Sequence, residues 1–451
     1  MGRDRGSGET STDLDSRITA YLNSQLKNEL AAANERYGHL DFKVNWLTTR
    51  NVEILSRAGR KLLDMFKSDR AAVASVDEQA APVATPAGRT KGRILLDVTS
   101  TRNRCAGAQV HRIVGELEHA ARISGQALPT IVASGGLHAA VEGESRPGSP
   151  IVPSSGDIFL MTGEGWRYPD EQRAAMQRVA ASGGTNVSMV YDVTALVYPG
   201  AGEQHSSTYA QWLNHVALRG HGVVVPSRQT ATRLADLMAS QTDRNIPVEL
   251  WAAGAQLRDD DRSASQSELD ALRSEKRPYF LSVGPLSLRN AYSTALDALE
   301  RLWAREVDVT YVIVGGDDWS GRALQARILS HSEFGRRLRW LEHIDDGDLR
   351  RLYQGAAALI APAFDDGMGL CLMEAAALGT PVIAANTPIF REVGGDTTAY
   401  FDLFDSDALA GCLRRAIVTE RPAPRASRTW SAAATDLFAI AVNFGKRNRG
   451  L

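Results

Sequence analysis

The sequence predicts an α/β protein: two doubly wound domains facing a cleft, each a parallel sheet with helices on both faces, preceded by an N-terminal helical hairpin. Three observations predict it. Short uninterrupted apolar strands alternate with amphipathic helices, the pattern of parallel sheets buried on both faces. That alternation runs twice, with a polar stretch, RDDDRSASQSE, between the two sets. The chain has 451 residues, more than the roughly 100 to 200 of a single domain.

Each element follows in order. Residues 1–14 are Gly, Ser, Thr and charge, too polar to fold alone, and are expected to be a disordered tail. From Asp15, Ile18, Leu22, Leu26 and Leu30 fall on one face at a helical period, and Val52, Leu55, Leu62 and Phe66 form a second such run. A helical hairpin over 15–67 results. It packs on itself or on the main body, or else serves as an arm for a homo-oligomer or a partner protein. Residues 68–92, rich in Ala and Pro, read as a linker. Strands of the first domain, 93–257, are expected at Arg93–Val98, Ile158–Met161, Val187–Tyr191 and Val223–Val225. Those of the second, 258–425, are expected at Tyr279–Val283, Val309–Val314, Leu338–Trp340, Ala358–Ala361, Pro381–Ala384 and Ala399–Phe401. Residues 426–451 are expected to be a C-terminal helix. Ligands of such sheets sit beyond the carboxyl ends of the strands, here in the cleft.

Composition and charge narrow the function classes. With 43% hydrophobic and 23% charged residues, the chain is not disordered, collagen-like or a disulfide scaffold. The 51 Lys and Arg balance 53 Asp and Glu, so no chain-wide basic excess points to nucleic acid. No window approaches the ~18 apolar residues of a membrane span. A cytosolic location is expected, with peripheral contact at the inner face of the membrane left open. Cys105, Cys371 and Cys412 are scattered and unpaired in pattern, and no cluster has metal-ligand spacing; no metal is expected.

The densest chemical signal is Asp365-Asp366-Gly367-Met368-Gly369-Leu370-Cys371-Leu372-Met373-Glu374, followed by Ala-rich helix and Gly379-Thr380-Pro381-Val382. It follows the strand Ala358–Ala361, so the Gly-Met-Gly turn lies at a carboxyl strand end and opens a helix. Glycines let the backbone approach a ligand, and a helix N-terminus attracts phosphate. Asp366 at the lip and Glu374 two turns into the helix suit a grip on sugar or ribose hydroxyls, although a solvated helix face would also account for Glu374.

This segment resembles the signature E-G-F-G-L-P-x-x-E-A-x-x-x-G-x-P-V of family 4 glycosyltransferases, which have the GT-B fold of two Rossmann-like domains. YFLSVGPLSLRN at 279–290, VIVGGDDW at 312–319, RLRWLEHIDD at 337–346 and GTPVIAANTPIFREVGGD at 379–396 extend the resemblance over the second domain. The first matches bacterial polysaccharide and O-antigen enzymes more loosely, in ILLDVTS at 94–100, the Gly107 loop and VYDVTAL at 190–196. The resemblance implies a retaining glycosyltransferase that moves a sugar from a nucleotide-diphosphate donor to a glycan or glycoconjugate hydroxyl, with no obligatory cofactor. It makes the second domain the nucleotide-sugar domain and has the helix from Trp430 cross back to the first, the acceptor domain. By position, Glu374 would hold the ribose, Asp366 the transferred sugar, and Gly367, Met368, Gly369 and Leu370 the sugar and phosphates through their backbone. Gly284 and Asn290 would line the donor loop, and Ile344 would meet the base. Gly107, Asp192 and Tyr198 would line the acceptor pocket.

The departures concern charge. The family pattern carries a basic pair on the first loop of the second domain, where cations neutralise the leaving diphosphate. This chain has Pro285 and Asn290 there, and Arg289 is the candidate replacement. Loss of such a cation typically costs about 10² to 10³ in rate, as for one preorganised donor. A glycosyltransferase-like protein without turnover, serving as a scaffold for an active enzyme, is the competing reading. Two extra residues in the Gly107 loop leave the register of His111 and Arg112 open.

Overall fold

The computed structural model describes residues 11–36, 92–102, 108–134, 136–198, 206–239, 244–258, 270–272, 274–342 and 344–450. Eight strands make the first sheet, in the order β4-β3-β2-β1-β5-β6-β7-β8. They are β1 Ile94–Asp97, β2 Leu128–Ala133, β3 Gly136–Ala140, β4 Pro147–Ile151, β5 Ile158–Met161, β6 Thr185–Met189, β7 Gly222–Val225 and β8 Val248–Leu250. β1, β5, β6 and β7 are buried along their whole length, as strands covered on both faces are; β5 and β7 carry no polar side chain, whereas β1 ends in Asp97 and β6 carries Thr185, Asn186 and Ser188. β2 and β8 extend the parallel set beyond the four expected strands, and β3 and β4 add an antiparallel edge. β4, PGSPI, carries two prolines with no N–H to offer a neighbour, which suits a strand that ends a sheet.

The second sheet is parallel throughout, in the order β11-β10-β9-β12-β13-β14. Its strands are β9 Tyr279–Val283, β10 Thr310–Val314, β11 Leu338–Leu341, β12 Ala358–Ala361, β13 Val382–Ala385 and β14 Ala399–Phe401. All six lie within one residue of expectation. β13 starts after Pro381, which has no N–H but lends its carbonyl to the Leu359 N–H at 2.8 Å. The strand order reverses between β9 and β12, so the loops leaving those two strands diverge and open a crevice at their carboxyl ends.

Two helices tie the halves together. Trp430–Asn448 buries Trp430, Leu437, Phe438, Ala441 and Phe444 in the first domain's core beside Ile94, Leu96, Ile113, Ile158 and Val187. Thr429 caps it by accepting the Ala432 N–H. At the other end, the N-terminal helix is Ser11–Arg36. It begins inside the expected tail, where Asp13 in its first turn complements the helix dipole. Ile18 and Leu22 are buried in the second domain's core, and Tyr21 stacks on Phe404 at 4.1 Å with its hydroxyl 2.8 Å from Ser293 Oγ. This stretch therefore packs on the main body. The second helix of the expected hairpin and the linker lie outside the described residues, apart from Gly92. Among the described residues, no helix is long and apolar enough to cross a membrane.

Candidate functional site

The crevice is built around the loop that leaves β12. Asp366 Oδ1 accepts the N–H groups of Met368 at 2.9 Å and Gly369 at 2.7 Å, so this carboxylate closes the turn that starts the helix Leu370–Ala377. Gly369 has φ +62° and supplies the left-handed step at the helix start. Gly367 faces the first domain: a Cβ there would lie 2.4 Å from the Tyr191 carbonyl oxygen. Met368 and Leu370 reach into the first domain's core. The Phe364 N–H donates to the Arg289 carbonyl at 3.1 Å, which joins this loop to the one that leaves β9.

Glu374 is 2% exposed, not solvated. Its Oε2 accepts the Tyr353 hydroxyl at 2.9 Å, and its Oε1 accepts Arg112 Nη2 from the first-domain helix Ala108–Ser124. Burial pushes the Glu374 carboxyl up from its ordinary range, against the pull of Arg112 and Tyr353. Arg112 itself is lowered by burial but raised more by Glu374 and Asp346, the latter 3.5 Å from its Nη1.

Two further pairs cross the same cleft. Arg289 Nη1 donates to Asp192 Oδ2 at 2.9 Å, and the Thr194 N–H holds Asp192 Oδ1 at the same distance. Burial disfavours the Arg289 charge, but Asp192, Asp366 and Asp365 outweigh it and raise its pKa. Asp365, 2% exposed, accepts Arg233 Nη1 at 2.8 Å, Thr194 Oγ1 at 2.8 Å and Gln229 Nε2 at 3.2 Å, all from the first domain. Burial raises the Asp365 carboxyl, with Arg233 opposing.

The remaining expected site residues are placed as follows. Asn290 turns its amide back to the Pro285 carbonyl at 2.7 Å, and the Gly284 N–H donates to Val314 O at 2.8 Å. Ile344 is half-buried against the second core, just before Asp345 caps the helix Asp346–Gly355. Tyr198 is buried, edge-on to Phe364 at 5.5 Å, with its hydroxyl donating to Asp15 of the N-terminal helix at 2.5 Å. Gly107 lies outside the described residues. Arg112, Arg233 and Asp365 were not singled out as site residues by sequence reasoning. Arg112 meets a partner 262 residues away and Arg233 one 132 residues away, and spacing within one chain carries no signal for such contacts; only the Asp365-Asp366 doublet marked the region.

The cleft thus holds carboxylates in a helix-opening turn, backbone N–H groups near a helix N-terminus, and arginines from both domains. Residues 266–431 match the family model for glycosyl transferases group 1, and this domain is a member of that family. The serotype-specific mannosyltransferase WbdA of Escherichia coli is 27% identical over 270 residues, 57% of this chain and 33% of that protein. The O-antigen chain mannosyltransferase RfbU of Salmonella typhimurium is 30% identical over 122 residues, 27% of this chain and 33% of that protein. The chain spans about a third of the length of these curated relatives. A crystal structure of Anabaena Alr3699/HepE in complex with UDP matches with a TM-score of 0.51 at 14% identity, covering 80% of this chain and 99% of that one. The likeness is one of fold, and the fold is GT-B.

Proposed function

We propose that the chain is a retaining glycosyltransferase that moves a sugar from a nucleotide-diphosphate donor to a glycan or glycoconjugate hydroxyl in surface polysaccharide assembly, acting in the cytosol. The observation that carries the reading is the Asp366 turn and Glu374. Together they place two carboxylates and a helix N-terminus at the carboxyl end of β12, beside the β9 loop and against the first domain. In that role Glu374 receives ribose hydroxyls, while the Gly367–Leu370 backbone faces the sugar and phosphates. Arg289, the guanidinium of the β9 loop, neutralises the leaving diphosphate once it exchanges Asp192 for phosphate oxygens. The bond from the anomeric carbon to the diphosphate oxygen breaks, the acceptor oxygen takes its place on the same face, and the acceptor proton leaves with the diphosphate. The mannosyltransferase relatives make mannose a candidate for the transferred sugar, and the UDP-bound fold neighbour makes a UDP sugar a candidate donor.

A second reading has its own observation: among the described residues, three oppositely charged pairs already cross the crevice within the chain, Glu374 with Arg112, Asp365 with Arg233 and Arg289 with Asp192. A protein without turnover, kept shut as a partner for an active enzyme, would show the same pairing. Calorimetry of the full chain with UDP, GDP, the deoxythymidine analogue and their sugars separates the two. Binding of one nucleotide, lost in Glu374→Ala and weakened in Arg289→Ala, followed by sugar transfer from that donor, supports the enzyme. No binding at millimolar nucleotide by folded protein supports the scaffold.

A further inference from the structure

Glu374 belongs to the second domain, but the charge that balances it comes from the first. Arg112 Nη2 donates to Glu374 Oε1, and the Tyr353 hydroxyl donates to Oε2. The groups that face this carboxylate are Arg112 from the helix Ala108–Ser124, Tyr353 and Asp346 from the helix Asp346–Gly355, and Cys371 on its own helix. Arg112 is the cation among them. Asp346 carries like charge, and the Tyr353 hydroxyl and Cys371 thiol stay neutral, both pushed well above their ordinary values, chiefly by burial.

Burial drives an unpaired carboxyl toward its neutral form, and a neutral carboxyl is a weaker acceptor for a diol than a carboxylate. Among the described residues each Glu374 oxygen has one bond to the protein and, as a carboxylate, a second lone pair to offer. Two adjacent hydroxyls can use those lone pairs while Arg112 and Tyr353 stay in place, once the groups that leave the carboxylate 2% exposed move aside and provided the charge persists. Arg112 side-chain exposure is 19%, so its own charge is only partly screened by water.

We propose that Arg112 is a positioning residue of the donor site, contributed by the first domain, which in the closed cleft holds Glu374 ionised and oriented to receive the vicinal diol of a nucleotide sugar. The proposal rests on the donor reading above and adds a consequence: the second domain's grip on a nucleotide is complete only with the first domain closed on it. Arg112 acts through Glu374, so its removal moves the pH dependence of binding as well as its strength.

The test is calorimetry of the full chain with UDP, GDP and the deoxythymidine analogue, from mildly acidic to mildly alkaline pH, in Arg112→Gln, Arg112→Lys, Arg233→Gln and Glu374→Gln backgrounds. Arg112→Gln weakens the nucleotide that binds by about 10- to 100-fold at neutral pH, the loss that goes with a hydrogen bond to a charged group. Its affinity then climbs with pH as Glu374 ionises, so the acid limb of binding lies at higher pH than in the wild type. Arg112→Lys recovers part of the loss, and Glu374→Gln leaves, in either background, only the pH dependence that the nucleotide's own terminal phosphate supplies. Arg233→Gln, which loosens the same cleft without touching Glu374, leaves the acid limb where it was. Arg112→Met, which keeps the aliphatic stem, repeats the measurement if Arg112→Gln does not fold. Wild-type affinity in Arg112→Gln, or a loss that is the same at every pH, overturns the role of Arg112 and leaves the donor reading standing. Failure of the folded wild type to bind any of the three nucleotides sinks the donor reading, and this proposal with it.

Discussion

Gly367→Ala isolates the contact between the signature loop and the first domain. A Cβ at this position lies 2.4 Å from the Tyr191 carbonyl oxygen, 3.1 Å from its carbon and 3.3 Å from Asp192 Cβ. Ordinary contact begins at 3.4 Å, so the two backbones must part by about 1 Å. Neither side can yield by swinging a flexible side chain, because the nearest atoms are main chain. The flanking bonds are short: Arg289 to Asp192 is 2.9 Å and Thr194 to Asp365 is 2.8 Å. Stretched by about 1 Å, both pass beyond hydrogen-bond range. The expected cost is about 1–3 kcal/mol, that of overpacking a close-packed interior, which lowers the closed-to-open ratio about 5- to 150-fold. Hydrogen exchange reads it directly, as faster exchange in segments 191–198 and 364–370 while the strands of each sheet keep their protection. Gly115→Ala is the counterpart, since a Cβ there meets nothing within 4 Å in the middle of a helix; it stabilises by about 0.5–1 kcal/mol. Wild-type exchange in both segments of Gly367→Ala would refute the claim that the domains are in contact at this glycine.

Asp365→Ala leaves Arg233, Gln229 and Thr194 without their acceptor. It lowers stability in urea by about 3 kcal/mol or less, under the full cost of breaking a buried pair because Arg233 is partly exposed and rehydrates. Asp157, fully buried, accepts the Arg93 N–H, Nε and Nη2 and the Ser154 N–H. Burial would raise its pKa, but these bonds win and lower it. Its contribution is therefore complete above the unfolded carboxyl value near 4 and is lost as pH falls through the lower folded value. Asp157→Asn flattens the acid limb of the stability curve, measured by thermal unfolding across acidic pH. Tyr21→Ala removes the stack on Phe404 and the bond to Ser293; at about 1–3 kcal/mol it loosens the N-terminal helix, and trypsin then cuts at Arg17 ahead of the sheets.

The parallel sheets were legible because their cause is local. A strand buried on both faces is mostly apolar: β5 and β12 are apolar at every position, and β1, β9 and β10 at all but one, Asp97, Ser282 and Thr310 respectively. β2, LPTIVA, is as apolar as these but stands ahead of a hairpin, and β3 and β4, GLHAA and PGSPI, are half-exposed, short and rich in Gly and Pro. Their strand state comes from the neighbour they pair with, not from their own pattern. The N-terminal helix was legible as a helix, but its place was not. Ile18 and Leu22 predict an apolar face, and only the fold shows that it is buried in the second domain's core, with Tyr21 against Phe404 and Phe364.

The site divides along the same line. Its second-domain half is a contiguous run, so Asp366, Gly367, Gly369 and Glu374 could be read together from spacing and helix geometry. Its first-domain half comes from Arg112 and Arg233, whose neighbours in sequence say nothing of a partner on another sheet. This asymmetry matters for the missing basic pair. Counted on the β9 loop alone, Pro285 and Asn290 are a deficit of positive charge, and Asn290 is committed to the Pro285 carbonyl. Counted over the cleft, three guanidinium groups face the β12 loop and its helix, two of them from the opposite domain. A charge deficit measured on one domain is not the deficit of a site that two domains share, because the field at the crevice depends on distance and not on which domain carries the arginine. With Pro285 and Asn290 on the β9 loop, Arg289 is that loop's own guanidinium, and the other two, Arg112 and Arg233, come from the first domain.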